Sequence, residues 1–197
     1  MRCVLNFVAI AILLLLSDCA NPQNNLLSNF AVRDPTRGNF YTCYGYGCKY
    51  KARISLTAEE WREVQAKFEP TPEDAQTERK DVAEAVGLIE RLVGRRTGTL
   101  VHQQDSRFNT GDPTQMDCVD DSINTWTYLT MLNREGLLHY HSIAGLAHRG
   151  TLLTLDFSNT AVLAENGTGA KFAIDPWLGE TGVPPPVFPL SLWYSME

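Results

Sequence analysis

One cysteine in this sequence occupies a position at which a thiol can act as a nucleophile. A turn-rich loop, residues 112–118 (DPTQMDC), runs into a long amphipathic segment that begins at Cys118. The first turn of a helix has unpaired backbone N–H groups and the positive end of the helix dipole, and both favour a thiolate. Asp117, Asp120 and Asp121 oppose this effect, because nearby negative charge raises the pKa of a thiol. Cys118 is therefore a candidate nucleophile, with a buried, inert thiol as the alternative.

An acidic residue further along the chain is a candidate partner of this thiol. A cysteine nucleophile needs an imidazole within hydrogen-bond reach and a third polar group that orients the imidazole. Asp175 follows the apolar run of residues 171–174, where a predicted strand leaves its sheet. Its carboxylate can therefore point at the helix start.

The elements that must position these residues fall into two halves of the chain. Capping and periodicity predict helices over residues 58–68, from Pro72 to residues 95–98, and from Asp117 or Cys118 to Gly136. Charged residues are assigned to the solvated face of the second helix: Arg79, Lys80, Glu84 and Arg91. Strands are predicted over residues 138–147, 151–157, 160–164 and 171–174, followed by an extended, proline-rich tail. Helices followed by antiparallel strands indicate an α+β fold.

Three short stretches resemble the transglutaminase-like branch of the papain-like superfamily. They are residues 116–122 (MDCVDDS), 159–163 (NTAVL) and 173–177 (AIDPW), within a resemblance that covers residues 100–180. In that family a nucleophilic cysteine begins a helix, a histidine begins a strand, and an aspartate ends the next strand. The resemblance implies an α+β domain with N-terminal helices packed on a C-terminal antiparallel sheet. It also implies a thiol amidase, peptidase or transamidase with Cys118 as nucleophile and Asp175 as orienting acid.

The histidine that this family places opposite the aspartate is replaced in this chain. Asn166-Gly167 between two apolar runs is a strong hairpin signal, and hairpin partners have a nearly constant sum of residue numbers. Asp175 therefore faces position 159, give or take one. Ser158, Asn159 and Thr160 occupy those positions. Ser158 and Asn159 are thus candidates for lining the site, and the alternative function is a catalytically degenerate binding or scaffolding protein of the same fold. An unrelated envelope domain, in which Cys118 is only a packed residue, is a third interpretation.

Four histidines elsewhere are the remaining candidates for a base. His148 lies in a predicted turn between strands, and His102 lies in the loop before Cys118. His139 and His141 share one face of a predicted strand, as two metal ligands can. No third ligand accompanies them in the sequence, so we predict no metal site and no cofactor.

Glutamines before the thiol are candidates for binding an oxyanion. Gln115, like Gln103 and Gln104, has an amide that can form an oxyanion hole together with the backbone N–H of Cys118. An ordinary polar role in the loop is the simpler interpretation of all three.

The first residues have the pattern of an export signal. Arg2 precedes an almost wholly apolar run, residues 4–16, which is too short to span a bilayer comfortably. Residues 16–19 (LSDC) resemble a bacterial lipobox, in which the cysteine is acylated. We therefore predict a signal peptide over residues 1–18, lipidation at Cys19, and an exported, periplasm-facing lipoprotein of the cell envelope. Cleavage near Ala20 and an uncleaved anchor are the alternatives.

The remaining cysteines and the net charge limit where the domain begins and which partners it can have. Cys43 and Cys48 flank a Tyr-Gly turn and are predicted to form a disulfide in an oxidising compartment. Residues 19–50 are predicted to be a polar tether that includes this loop, and residues 51–197 a single domain. The net charge of −6, without a block of basic residues, argues against nucleic acid as a partner. We expect a peptide or protein partner, and membrane contact through the N-terminal anchor or signal.

Overall fold

The computed structural model describes residues 27, 29–30, 34–101, 111–150 and 157–196. Within these ranges a β-hairpin and helices precede a four-stranded antiparallel sheet and a short C-terminal helix, which confirms the α+β class. The elements are β1 Phe40–Tyr44, β2 Tyr50–Ile54, α1 Ala58–Gln65, α2 Ala75–Thr97, α3 Cys118–Arg134, β3 His141–Arg149, β4 Ser158–Glu165, β5 Lys171–Ile174, β6 Val187–Pro189 and α4 Leu190–Tyr194.

The helix ends follow local capping signals. Thr57 and Glu60 form the predicted capping box of α1, with the Thr57 N–H donating to the Glu60 carboxylate at 2.8 Å. Helix α2 begins later than Pro72, because the Asp74 carboxylate accepts the N–H of Thr77 at 2.7 Å and caps the helix there. Helix α3 begins at Cys118, as predicted.

The sheet has the strand order β3-β4-β5-β6, with antiparallel neighbours throughout. Ala161 pairs with Ile174, and continuing this register places Thr160 opposite Asp175. The hairpin prediction of position 159, give or take one, is therefore confirmed. On the other side of β4, Asn159 pairs with His148 of β3.

The two faces of the sheet pack against different elements. Ala161, Leu163 and Ile174 belong to the main core, which α2 and α3 cover. The alternate residues Val162 and Ala173 form a second cluster with Trp193 of α4. The prediction of a wholly extended tail is wrong, because the fully buried Trp193 draws residues 190–194 back onto the sheet as a helix.

The hairpin of β1 and β2 belongs to the same core. Phe40 is fully buried and its ring meets Tyr128 of α3 edge to face, with 6.1 Å between the ring centroids. The packed structure therefore includes residues before position 51, where the sequence interpretation placed the start of the domain.

The predicted signal peptide, residues 1–18, and Cys19 lie outside the described residues. Among the residues that are described, none of the helices combines the length and the apolar character that crossing a bilayer requires.

Candidate functional site

Cys118 lies at a helix start that carboxylates cap closely. The Asp117 carboxylate accepts the backbone N–H groups of Val119 and Asp120 at 3.1 and 2.9 Å. The Asp120 carboxylate in turn accepts the Asp117 N–H at 3.2 Å, which completes a capping box. The interpretation of Asp117 as an N-cap residue is therefore confirmed.

A disulfide-closed loop docks onto this helix start. Cys43 and Cys48 form the predicted disulfide, with 4.6 Å between their Cα atoms. Residues 45–48 all have positive φ, a curvature that turns successive N–H groups to one side. The N–H groups of Tyr46 and Cys48 donate to Asp120 at 2.8 and 2.7 Å, and that of Gly47 donates to Asp117 at 2.9 Å. The loop amides thus bind the carboxylates that flank the thiol.

The thiol faces a groove of about 300 Å³. Three aromatic rings from separate segments line it, and Cys118 itself is half-buried. The lining residues are Tyr46, Asp117, Cys118, Val119, Phe157, Asn159 and Trp177.

The position expected for a histidine holds an amide that contacts the sulfur. Asn159 Nδ2 donates to Cys118 Sγ at 3.5 Å, and Sγ lies 3.7 Å from the carbonyl oxygen of Phe157. Asn159 Oδ1 lies 3.0 Å from Nδ1 of His148. Because an amide oxygen only accepts, His148 Nδ1 carries the hydrogen of this bond. The structure therefore brings together Cys118, Asn159 and His148 in a chain of hydrogen bonds.

The surroundings of the sulfur favour the thiol over the thiolate. Burial and the negative charge of Asp117 raise the pKa of Cys118 to about 11, and the hydrogen bond from Asn159 offsets only part of this effect. Of the opposing effects expected at this helix start, burial and carboxylate charge therefore prevail.

Asp175 makes contacts on the other side of β4. Its Oδ2 accepts the indole N–H of Trp193 at 2.5 Å, and the Arg149 guanidinium lies over the Trp193 ring at 4.5 Å. Burial raises the pKa of the Asp175 carboxyl to about 6, against the opposing effects of Trp193 and Arg149. Strand alternation places Asp175 on the side of Ala173, whereas Asn159 lies on the side of Ala161. Asp175 is thus bound by Trp193 of α4, and no motif in the sequence indicates this contact.

Ser158 and Gln115, the other predicted site residues that the structure describes, do not line the groove. Ser158 is buried on the side of β4 away from Cys118. Gln115 is also buried, and its amide donates to the carbonyl oxygen of Val101 at 3.2 Å. Its backbone oxygen accepts the N–H of Gly45 at 2.9 Å, so Gln115 holds the disulfide loop in place. His102, Gln103 and Gln104 lie outside the described residues.

His139 and His141 have separate surroundings. His141 is buried and its Nδ1 lies 2.8 Å from Glu78, while His139 lines a different surface cavity. In the part of the chain that is described, one trio of side chains has the spacing of metal ligands, namely Cys43, Cys48 and Asp120. Its sulfurs are joined in the disulfide and its carboxylate is bound by backbone amides.

Sequence reasoning missed two parts of the groove. Tyr46 and Phe157 line it from loops whose positions depend on distant pairing, and no local motif marks either residue.

Comparison of the chain with protein-family models, with curated proteins and with solved structures gave no match in any of the three.

Proposed function

We propose that this protein is a catalytically degenerate relative of transglutaminase-like thiol enzymes, which binds a peptide segment of a partner in the groove beside Cys118 without cleaving it. The observation that carries the proposal is the amide of Asn159 at 3.5 Å from Sγ, where that family has an imidazole.

The protonation state of the sulfur supports binding over catalysis. With a pKa of about 11, the thiolate fraction at pH 7 is about one in ten thousand. An amide nitrogen that donates to Sγ has no lone pair with which to remove the thiol proton. Oδ2 of Asp175 accepts the indole N–H of Trp193, and strand alternation places this carboxylate on the side of the sheet away from Asn159.

The shape and lining of the groove support a peptide as the ligand. A volume of about 300 Å³ is at the lower end of small-molecule pockets and accommodates one or two side chains. Tyr46, Phe157 and Trp177 provide apolar ring surface, while Asp117 and Asn159 provide polar atoms for a peptide backbone.

The location that goes with this function is the cell envelope, reached by export and held by lipid at Cys19. The apolar run of residues 4–16 supports export, and the Cys43–Cys48 disulfide fits an oxidising compartment. Mass spectrometry of the mature chain tests this point: acylation at Cys19 and loss of residues 1–18 are expected, and an unprocessed N-terminus contradicts it.

A thiol enzyme is the second candidate, and the hydrogen-bond chain from His148 through Asn159 to Cys118 favours it. In such an enzyme Sγ attacks an amide carbonyl, the C–N bond breaks, and the amine leaves with the thiol proton. Water or another amine then attacks the thioester and releases the thiol. The test is turnover by the wild-type protein of peptide p-nitroanilides that the Cys118→Ala variant does not hydrolyse. Such turnover overturns the degenerate assignment, whereas equal rates for the two proteins support it.

The chain offers a matched pair of variants for restoring the base. Asn159→His places an imidazole beside Sγ, and we expect alkylation of Cys118 by iodoacetamide at pH 7 to become at least tenfold faster. Ser158→His is the control, because residue 158 lies on the other side of the strand and should leave the rate unchanged. Faster alkylation in Ser158→His alone would contradict the site geometry.

Binding is tested separately with blocked aromatic dipeptide amides, by fluorescence or NMR titration of the intact protein. Saturable binding that Cys118→Phe abolishes is expected, because the larger ring fills the groove. Binding that is unchanged in Cys118→Phe places the ligand elsewhere and contradicts the proposal.

A further inference from the structure

A second cleft lies between α2 and the edge of the sheet, and it shares no lining residue with the groove at Cys118. It has a volume of about 410 Å³. Gln76, Arg79 and Lys80 line one wall, at spacings that place them on one face of α2. Phe172, Val187 and Pro189, from β5 and β6, line the other wall. One wall is thus cationic and polar, and the other is apolar.

Arg79 is held rigidly in this cleft, although the sequence assigned it to a solvated face. Its guanidinium lies over the Phe172 ring at 3.8 Å, and Nη1 donates to Glu165 at 2.7 Å. The same Nη1 lies 3.1 Å from Nε2 of His141. Only 17% of the Arg79 side chain is exposed, so its position is fixed before any ligand arrives.

A buried glutamate fixes the partner of this arginine. Since Arg79 only donates, His141 Nε2 must accept, and the hydrogen is on Nδ1, which donates to Glu78 at 2.8 Å. Glu78 also accepts the N–H groups of His139 and Tyr140 at 2.6 and 2.9 Å. The row Glu78–His141–Arg79 therefore has one hydrogen-bonding arrangement and holds the guanidinium in one orientation.

The guanidinium keeps a free edge for a ligand. Across residues 34–101, 111–150 and 157–196, every hydrogen bond of Arg79 uses Nη1. The Nε and Nη2 groups are therefore available as a two-pronged donor, the geometry that matches a carboxylate. The exposed ammonium of Lys80 lies one residue further along the same wall.

The charge of the cleft is opposite to that of the chain. None of the described residues that line it is acidic, whereas the whole chain has a net charge of −6. Glu165, which is not part of the lining, is paired with Arg79 and offsets part of this positive charge. Arg79 and Lys80 beside an apolar wall match a ligand with one anionic end and a short hydrocarbon body. Inorganic anions lack the body, and neutral apolar molecules lack the charge.

We propose that the cleft between α2 and β5–β6 binds a small organic carboxylate, with its carboxylate on Arg79 and Lys80 and its hydrocarbon body on Phe172 and Val187. This site is separate from the groove at Cys118 and does not depend on the function proposed there.

The test is a titration of the intact protein with hexanoate, followed by calorimetry and by NMR of backbone amides. Hexanoate should shift the amides of α2 and β5 and bind at least tenfold more tightly than 1-hexanol or inorganic phosphate. Equal binding of hexanol overturns the ionic part of the proposal, and equal binding of phosphate overturns the apolar part. No saturable shift with hexanoate overturns the whole.

Variants on one helix provide the matched control. Lys80→Glu reverses an exposed charge that makes no hydrogen bond to another described residue, and it should weaken hexanoate binding about fivefold or more. Arg95→Glu makes the same change at an exposed position of α2 outside the cleft and should leave affinity within about twofold. Arg79→Lys, which keeps the charge but loses the fork, should weaken binding more than Lys80→Gln. Equal affinities in Lys80→Glu and Arg95→Glu would overturn the site.

Discussion

Glu78 and Asp120 are buried carboxylates in the first turns of two different helices, and their pKa values move in opposite directions. Both are fully buried, and each accepts three or more hydrogen bonds that involve backbone amides. Burial raises both pKa values. At Glu78 the hydrogen bonds from His141, Tyr140 and His139 outweigh burial and lower the pKa. At Asp120 burial and the charge of Asp117 prevail and raise the pKa to about 7.

The hydrogen bonds are similar in number, so the difference lies in the carboxylate of Asp117. Its negative charge raises the pKa of Asp120, whereas the neighbours of Glu78 are hydrogen-bond donors. The surroundings of Glu78 therefore stabilise its ionised carboxylate and, with it, the fold. The Asp120 region, beside Cys118, retains electrostatic strain of the kind that clusters at functional sites.

The largest expected effect is at Glu78, the carboxylate whose hydrogen bonds lower its pKa. Glu78→Gln replaces an accepting oxygen with a donating NH₂ group that faces other donors, so we expect the free energy of unfolding at pH 7 to fall by about 4 kcal/mol. Urea denaturation measures this loss. Glu84→Gln, at an exposed residue paired with Lys67, is the control and should change stability by less than about 1 kcal/mol. A small effect of Glu78→Gln would show that the hydrogen bonds to this carboxylate contribute little to stability.

Glu90 lies on α2 like Glu78, but its pKa is raised where that of Glu78 is lowered. It is buried, and among the described residues it has one donor, the N–H of Gly182 at 3.2 Å; burial raises its pKa to about 8. A raised carboxyl pKa contributes stability below its unfolded value near 4.5, and this contribution is lost as pH rises through 8. Glu90→Gln should therefore match wild type at pH 5 and exceed it at pH 9 by about 3 kcal/mol. Parallel stability curves for the two proteins between pH 5 and 9 would contradict this.

Removing the disulfide tests the loop side of the Asp120 region. The double variant Cys43→Ser and Cys48→Ser opens a short loop, and we expect a loss of about 2 kcal/mol in chemical denaturation. Dithiothreitol should lower the melting temperature of the wild type but not that of the variant. Equal sensitivity of the two proteins to dithiothreitol would show that the disulfide does not hold the helix start.

The smallest expected effect isolates the charge of Asp117. Asp117→Asn keeps an N-cap side chain but removes the negative charge that raises the pKa of Cys118. The rate of Cys118 alkylation at pH 9 should rise about three- to tenfold, as followed by mass spectrometry. Asp112→Asn, in the preceding exposed turn, is the control and should leave the rate unchanged. Equal rates in both variants would assign the raised pKa to burial alone.

Short-range signals in the sequence predicted much of the frame. The capping box at Thr57, the start of α3 at Cys118 and the Cys43–Cys48 disulfide each depend on a few neighbouring residues. The Asn166-Gly167 turn also fixed the register of β4 and β5 to within one residue. These features follow from local hydrogen bonding and chain geometry, which a single sequence records directly.

The partners of the candidate site depend on contacts between distant segments. The prediction that His148 lies in a turn is wrong, because this residue belongs to β3 and pairs with Asn159 of β4, so their contact could not be derived from the sequence. Trp193 binds Asp175 because a buried indole draws the proline-rich tail into a helix, against its local preference. The burial of Arg79 likewise depends on β5, which lies more than ninety positions later in the chain.

The docking of the Tyr-Gly turn onto α3 has a consequence for when the groove comes into existence. The three amide-to-carboxylate bonds join residues that are 74, 70 and 72 positions apart in the chain. Contacts of such long range require distant parts of the chain to come together first. A partly unfolded chain in which these bonds are broken therefore lacks the Tyr46 wall of the groove.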